Sequence, residues 1–171
     1  MGMDVYGRKP TSEEGNYFRR SVWGWRPLAD LCVTLAPEIC SACEHWQSND
    51  GDGLDDKASK RLADLLAQSL SNGAIKAFVE LRNATIAQLP NQICNLCEGT
   101  GIRTDEMGAQ CGHPERVIDE PGHPRHGEKG WCNGCDGRGS KPHWETNYDV
   151  DEDDVREFVA FLKDCGGFEI C

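Results

Sequence analysis

Apolar residues recur at helical spacing through three stretches of the chain. Leu62, Leu65, Leu66 and Leu70 form one stripe and predict a helix over 55–71. Asp55 and Asp56 suit its positive N-terminal end, and Asn72-Gly73 supplies a stop. Ile75, Phe78, Val79, Ile86 and Leu89 predict a second helix over 74–88, closed by Pro90, so the pair reads as a helical hairpin. Val155, Phe158, Val159 and Leu162 predict a last helix over 153–164, stopped at Gly166-Gly167, with 168–171 as a short terminal strand. Upstream, Tyr17, Phe18, Val22, Trp23, Trp25, Leu28, Leu31 and Leu35 also fall at helical spacings. Pro27 divides that segment into two expected short helices, and Pro37 begins a short turn or helix carrying Cys40, Cys43 and Trp46. Residues 1–15 read as a polar, extended lead-in.

Periodicity fades over 91–143, where Gly, Cys, His and Pro dominate, as in a segment organised around something other than an apolar core. The expected fold is therefore α+β. A mainly helical body, from residues 13–90 and 150–165, carries an inserted zinc-clasped β-hairpin. By composition the chain falls into an N-terminal helical part (1–90), a Cys-rich module (91–143) and a C-terminal helix and tail (144–171). These are expected to form one compact domain.

The module contains an internal repeat. Cys94-Asn-Leu-Cys97-Glu-Gly-Thr-Gly101 and Cys132-Asn-Gly-Cys135-Asp-Gly-Arg-Gly139 both read Cys-x-x-Cys-x-Gly-x-Gly. Two residues between cysteines let both sulfurs of a tight turn face one ion, and two such turns complete the tetrahedron that zinc prefers. Cys94, Cys97, Cys132 and Cys135 are thus the expected ligands of one structural Zn²⁺. The glycines allow the backbone to curl so that amide N–H groups face the thiolates. Four thiolates around a dication leave surplus negative charge, which Arg103, Arg138 and Lys141 lie near enough in sequence to offset. A redox dithiol is the competing reading. It normally occurs once, at a helix start within alternating strands and helices, and that pattern is missing here.

The repeat resembles the cysteine-rich zinc finger of the DnaJ co-chaperones. That family has four such modules and two zinc ions, whereas this chain has two modules, at Cys94 and Cys132, and no His-Pro-Asp tripeptide. The resemblance, confined to 94–139, implies the zinc site and a hairpin-like fold, but not co-chaperone activity. The whole chain, through Asp4-Val-Tyr-Gly7, Trp25-Arg-Pro27, Asn49-Asp-Gly51 and Gly166-Gly-Phe168, also resembles small uncharacterised proteins of bacteria and their phages.

Composition changes this picture in two ways. Only 38% of the 171 residues are hydrophobic, so a metal staple would supplement a modest core. Lys+Arg number 18 against 29 Asp+Glu, a formal net charge of -11, which argues against a general duplex-DNA binder and suits a protein that meets basic partners or, more commonly, one that simply stays soluble. No apolar run reaches membrane-spanning length, the N-terminus has no signal-peptide core, and Tyr6 stands where myristoylation wants Ser or Thr. Met3 serves equally well as a start, with Met1-Gly2 an addition before it. The expected location is cytoplasmic, where ten cysteines mean metal ligands and buried thiols.

Weaker signals compete with blander readings. Cys40-Ser-Ala-Cys43-Glu-His45, with Cys32 upstream, is a second metal-site candidate, but no glycines follow and buried core thiols are the better reading. Cys111, His113, His123 and His126 are candidate extra ligands in what reads as a surface loop. Arg103, Arg116, Arg125, Lys129 and Arg138, beside Trp131, suggest a phosphate or nucleic-acid contact, set against solvated loop charge. In the calcium-loop register of 48–59, position twelve is Ser59 rather than an acid, so 48–53 reads as a turn. No nucleophile motif, phosphate loop or deaminase pattern appears, and a four-cysteine site offers substrate no open position, so no enzyme activity is expected. The leading functional expectation is an interaction module binding a protein partner. Its specific form is a phage or prophage accessory protein with anti-defence action, such as an anti-CRISPR-like inhibitor. A nucleic-acid-contacting zinc finger and a thiol–disulfide protein are the alternatives.

Overall fold

The structure is a computed structural model that describes residues 2–103, 105–110, 116–123, 126–127 and 129–171. It is a mixed helix-and-sheet protein, and the chain divides into two compact units, Met1–Ala87 with Asn147–Cys171, and Gln88–Thr146.

The first unit is built on a three-stranded antiparallel sheet in the order β2-β1-β7, with β1 (Gly2–Gly7) at its centre, β2 (Tyr17–Ser21) on one side and β7 (Phe168–Ile170) on the other. In register, Val5 faces Phe18 on one neighbour and Ile170 on the other, and all three are buried. Met3 and Val5 point inward while Tyr6 faces solvent, the period-two alternation of a half-buried strand. The lead-in expected over 1–15 is thus the central strand of the sheet. With only two inward side chains, its alternation is too short to stand out in a polar segment.

Helix α1 (Val22–Leu35) follows β2 directly, and the Ser21 side chain caps it by accepting from the Gly24 amide. It is one helix rather than the two expected, with Pro27 inside it. Proline removes one amide donor, and at the sixth residue of the helix the bond lost is the one that would reach the Trp23 carbonyl. Burial of Trp25, Leu28 and Leu31 holds the helix through that position.

A short helix α2 (Pro37–Cys40) leads to the 48–53 turn and then to α3 (Asp56–Ser71), capped by the Asp55 carboxylate on the Ala58 amide. Leu62, Ala63 and Leu66 of α3 are buried, and α3 packs on α6 (Glu152–Asp164), which contributes Val155, Phe158 and Leu162. Asp151 and Asp154 form a capping box at the start of α6. Helix α4 (Ala74–Ala87) follows the Asn72-Gly73 stop and buries only Ile75 fully. The core is aromatic: Phe158 lies 5.0 Å from Phe18, 5.7 Å from Trp25 and 6.2 Å from Phe168 between ring centroids. Trp25 stacks on Trp46 and donates its indole N–H to the Trp46 carbonyl at 2.6 Å. Both indole N–H groups are satisfied, since Trp46 donates to the Cys40 carbonyl at 3.1 Å.

The second unit has little regular structure. β3 (Gln92–Ile93) pairs with β6 (Ser140–Lys141), and β4 (Arg116–Val117) pairs with β5 (Lys129–Gly130). A five-residue helix, α5 (Glu106–Gln110), lies between β3 and β4 in sequence. Among the described residues of this unit, the largest buried cluster is four cysteines.

Candidate metal centre

Each repeat closes one tight turn. Thr100 N–H donates to the Cys97 carbonyl at 3.0 Å, and Arg138 N–H donates to the Cys135 carbonyl at 3.1 Å. The Gly101 amide then donates to Cys97 Sγ at 3.3 Å, and the Gly139 amide to Cys135 Sγ at 3.2 Å. These are the amide-to-sulfur bonds that the glycine spacing predicts, and they disperse thiolate charge into the backbone.

The two turns grip each other reciprocally. Cys94 N–H donates to the Gly139 carbonyl at 2.9 Å, and Cys132 N–H donates to the Gly101 carbonyl at 3.0 Å. A Cβ on Gly101 would lie 2.3 Å from the Gly137 carbonyl oxygen, and one on Gly139 would lie 2.1 Å from that of Gly99. Both glycines also have positive φ, 73° and 78°, so neither position admits a side chain without backbone movement. Each of these bonds has its counterpart 38 residues along, giving the module a local two-fold relation in which residue i plays the part of residue i+38. The non-glycine residues Glu98 (φ 53°) and Asp136 (φ 55°) obey the same relation. The repeat predicts the curl at its glycines alone. The left-handed turn begins one residue earlier, at an acidic position that carries no such signal.

The four sulfurs lie within 4.8 Å of one another, and all four residues are buried. Cys94 and Cys132 Sγ are 3.7 Å apart, as are Cys97 and Cys135 Sγ. A tetrahedron with metal–sulfur bonds of about 2.3 Å has edges of about 3.8 Å, so the set fits a single tetrahedral ion. Burial and donation to neighbouring sulfurs push Cys132 up to about 12. Burial also acts on Cys94, but the Leu96 amide and the Cys132 and Cys97 thiols donate to it and bring it down to about 7. Arg138 donates from Nε to the Cys135 carbonyl at 3.1 Å, tying one cation to the backbone of the site. Arg103 is engaged elsewhere, with Asp105 at 2.7 Å and Asn133 at 3.0 Å.

Among the described residues, no other group of three or more His, Cys, Asp or Glu gathers at ligand distance. Cys32, Cys40, Cys43 and His45 therefore do not form a second centre. The three cysteines are core thiols, and burial pushes Cys40 up to about 11 and Cys43 up to about 12. His123 and His126 stand apart from the four-cysteine cluster, with His126 Nδ1 3.1 Å from the Glu120 carbonyl oxygen. Cys111 and His113 lie outside the described residues.

The 48–53 turn is organised by a carboxylate rather than an ion. Asp52 accepts from the Glu44 amide at 2.6 Å, the His45 amide at 3.0 Å and the Gly53 amide at 2.7 Å. Burial acts to raise its pKa, but these amides outweigh it and hold the carboxyl below its ordinary value. The turn is fastened to β7, with Gly51 N–H donating to the Ile170 carbonyl and Ile170 N–H to that of Asp52, both at 2.8 Å.

No described helix is long and apolar enough to cross a membrane. Compared with protein-family models, curated proteins and solved structures, the chain matches none, so the DnaJ resemblance rests on the repeat itself.

Proposed function

We propose that the second unit is a zinc-stapled interaction module and that the protein acts by binding another protein rather than by catalysis. The observation that carries this reading is closure: four buried sulfurs complete a tetrahedron, leaving a bound Zn²⁺ no position for water or substrate. Zinc is favoured over iron on the expectation of a redox-silent structural role, since an S4 tetrahedron suits either metal. A thiol–disulfide role is disfavoured, because two Cys-x-x-Cys turns bring four sulfurs to one point, whereas a redox dithiol needs only one such turn.

The module exposes several apolar side chains among its polar ones. Ile93 and Leu96, flanking Cys94, are 76% and 45% exposed, and Met107, Val117 and Trp144 are exposed as well. Among the described residues, half of the large exposed hydrophobic ones thus fall in this 88–146 unit, which is small relative to the chain. Together with the net charge of -11 and the resemblance to phage proteins, this supports an accessory protein that engages a basic, nucleic-acid-handling host protein, including anti-defence action of the anti-CRISPR kind. A nucleic-acid contact through Arg103, Arg116, Arg125, Lys129 and Arg138 beside Trp131 is the second reading, with Arg125 outside the described residues.

The test is capture from host extract with wild-type protein and with an Ile93→Asp/Leu96→Asp variant shown to retain its metal. The proposal expects a partner lost on substitution and insensitive to nuclease. Salt-dependent binding of RNA or DNA by the purified protein would replace it with the second reading, and thiol-reductase activity of a metal-poor protein with a redox role.

A further inference from the structure

The first unit contains a cationic cavity that the metal centre does not involve. A cavity of about 550 Å³ is lined by Arg8, Lys9, Thr11, Asp55, Asp56, Lys60, Lys163 and Gly166. Its lining carries four cations and two acids, with the Asp164 carboxylate 3.2 Å from the Thr11 hydroxyl beside it, a locally cationic balance on a protein of net charge -11. The walls come from distant parts of the chain, yet backbone bonds fix them. Arg8 N–H donates to the Gly167 carbonyl at 2.7 Å, Lys9 N–H to that of Cys165 at 3.1 Å, and Thr11 N–H to that of Asp164 at 2.8 Å. The cavity is thus framed by the β1–β2 connection, the start of α3 and the end of α6, and it needs no rearrangement to exist.

The charges inside it are unevenly matched. Asp56 pairs with Lys60 at 2.8 Å, the Asp55 carboxylate is occupied by the Ala58 amide, and Arg8 reaches Glu169 only at 3.9 Å. Lys9 and Lys163 make no ion pair among the described residues.

We infer that this cavity binds a small phosphorylated ligand, with Arg8, Lys9 and Lys163 on the phosphate oxygens and the Asp55–Asp56 side facing its neutral portion. The volume falls in the range of small-molecule sites, about 300–1,000 Å³. The two carboxylates on one wall, and the acidic surface beyond, would repel a continuous polyanion such as nucleic acid but tolerate a compact one whose charge ends at the lysines.

The experiment titrates full-length, metal-loaded protein with pyrophosphate, ADP and adenosine, following amide chemical shifts. ADP and pyrophosphate are expected to shift residues 8–11, 56–60 and 163–167, with adenosine silent. Lys9→Glu and Lys163→Glu, both exposed and outside the core, should each weaken ADP at least about tenfold, the equivalent of roughly 1.4 kcal/mol, while circular dichroism stays unchanged. No shifts with either phosphate compound at millimolar concentration, shifts confined to other residues, or variants that bind ADP like wild type would each overturn the inference. Tighter binding of single-stranded oligonucleotide than of ADP at the same residues would overturn it in favour of a nucleic-acid surface.

Discussion

The sulfurs of Cys94 and Cys132 lie 3.7 Å apart although 38 residues separate them in the chain. The Cys97–Cys135 pair repeats that spacing and that separation, so two copies of an eight-residue pattern meet face to face around one point. Position in the repeat therefore sets each residue's role, and the consequences of substitution can be read from it.

Alanine at Gly139 would place a Cβ 2.1 Å from the Gly99 carbonyl oxygen, in a backbone with φ 78°. Gly139→Ala should loosen the turn that holds Cys135 and lower both metal content and thermal stability. Gly122 has φ 88°, but a Cβ added there would meet nothing within 4 Å. Gly122→Ala should therefore cost only the left-handed backbone penalty, about 1–2 kcal/mol, and keep its metal. Metal analysis and melting of the two variants separate crowding at the site from simple glycine preference.

The aromatic core gives a metal-independent control. Phe158 is fully buried against Phe18, Trp25 and Phe168, and Phe158→Ala should destabilise the first unit by about 3–5 kcal/mol. Denaturant unfolding monitored by tryptophan fluorescence checks the magnitude. The metal content of the folded fraction should be unaffected, since the four ligands belong to the other unit.

Helices and sheet were unequally legible. α3, α4 and α6 announce themselves because their apolar residues repeat at helical spacing over a dozen or more positions, and Asp55 and Gly73 mark real boundaries. The sheet does not, because β7 is three residues long and β1 inserts only Met3 and Val5. Its pairing joins the two ends of the chain, a long-range relation that local periodicity cannot express. The metal centre was legible because its ligands and glycines occupy fixed local spacings. The Asp52 network was not, since its three amide donors are arranged by the fold.

Asp52 makes a prediction about pH. Its carboxyl lies below the ordinary aspartate value in the folded protein, so the folded state favours the ionised form. The stability it contributes is complete above the unfolded pKa, near ~3.9, and is lost as pH falls through the lower folded value. Asp52→Asn should therefore reduce stability at neutral pH by about 1–2 kcal/mol, and the gap from wild type should shrink as the solution is acidified. Urea unfolding of both proteins at neutral pH and near pH ~3.5 measures the gap and its closure.

At the start of α6, Asp151 accepts from the Asp153 and Asp154 amides, both at 2.8 Å, and the Asp154 carboxylate accepts in return from the Asp151 amide at 3.0 Å. Asp151→Ala removes one half of this box and should cost about 1 kcal/mol, with Asp151→Ser recovering most of it. Comparison of the two melting temperatures distinguishes a lost cap from a general effect of removing charge.

The central claim, one zinc ion held by four thiolates, is tested most directly by metal analysis and X-ray absorption on protein purified without added metal. The account predicts one zinc per chain with four sulfur neighbours at about 2.3 Å. It also predicts loss of that zinc, with a lower melting temperature, in Cys97→Ser/Cys135→Ser. A protein that carries no metal when purified under reducing conditions, or a double variant that keeps its zinc and melts like wild type, would contradict it.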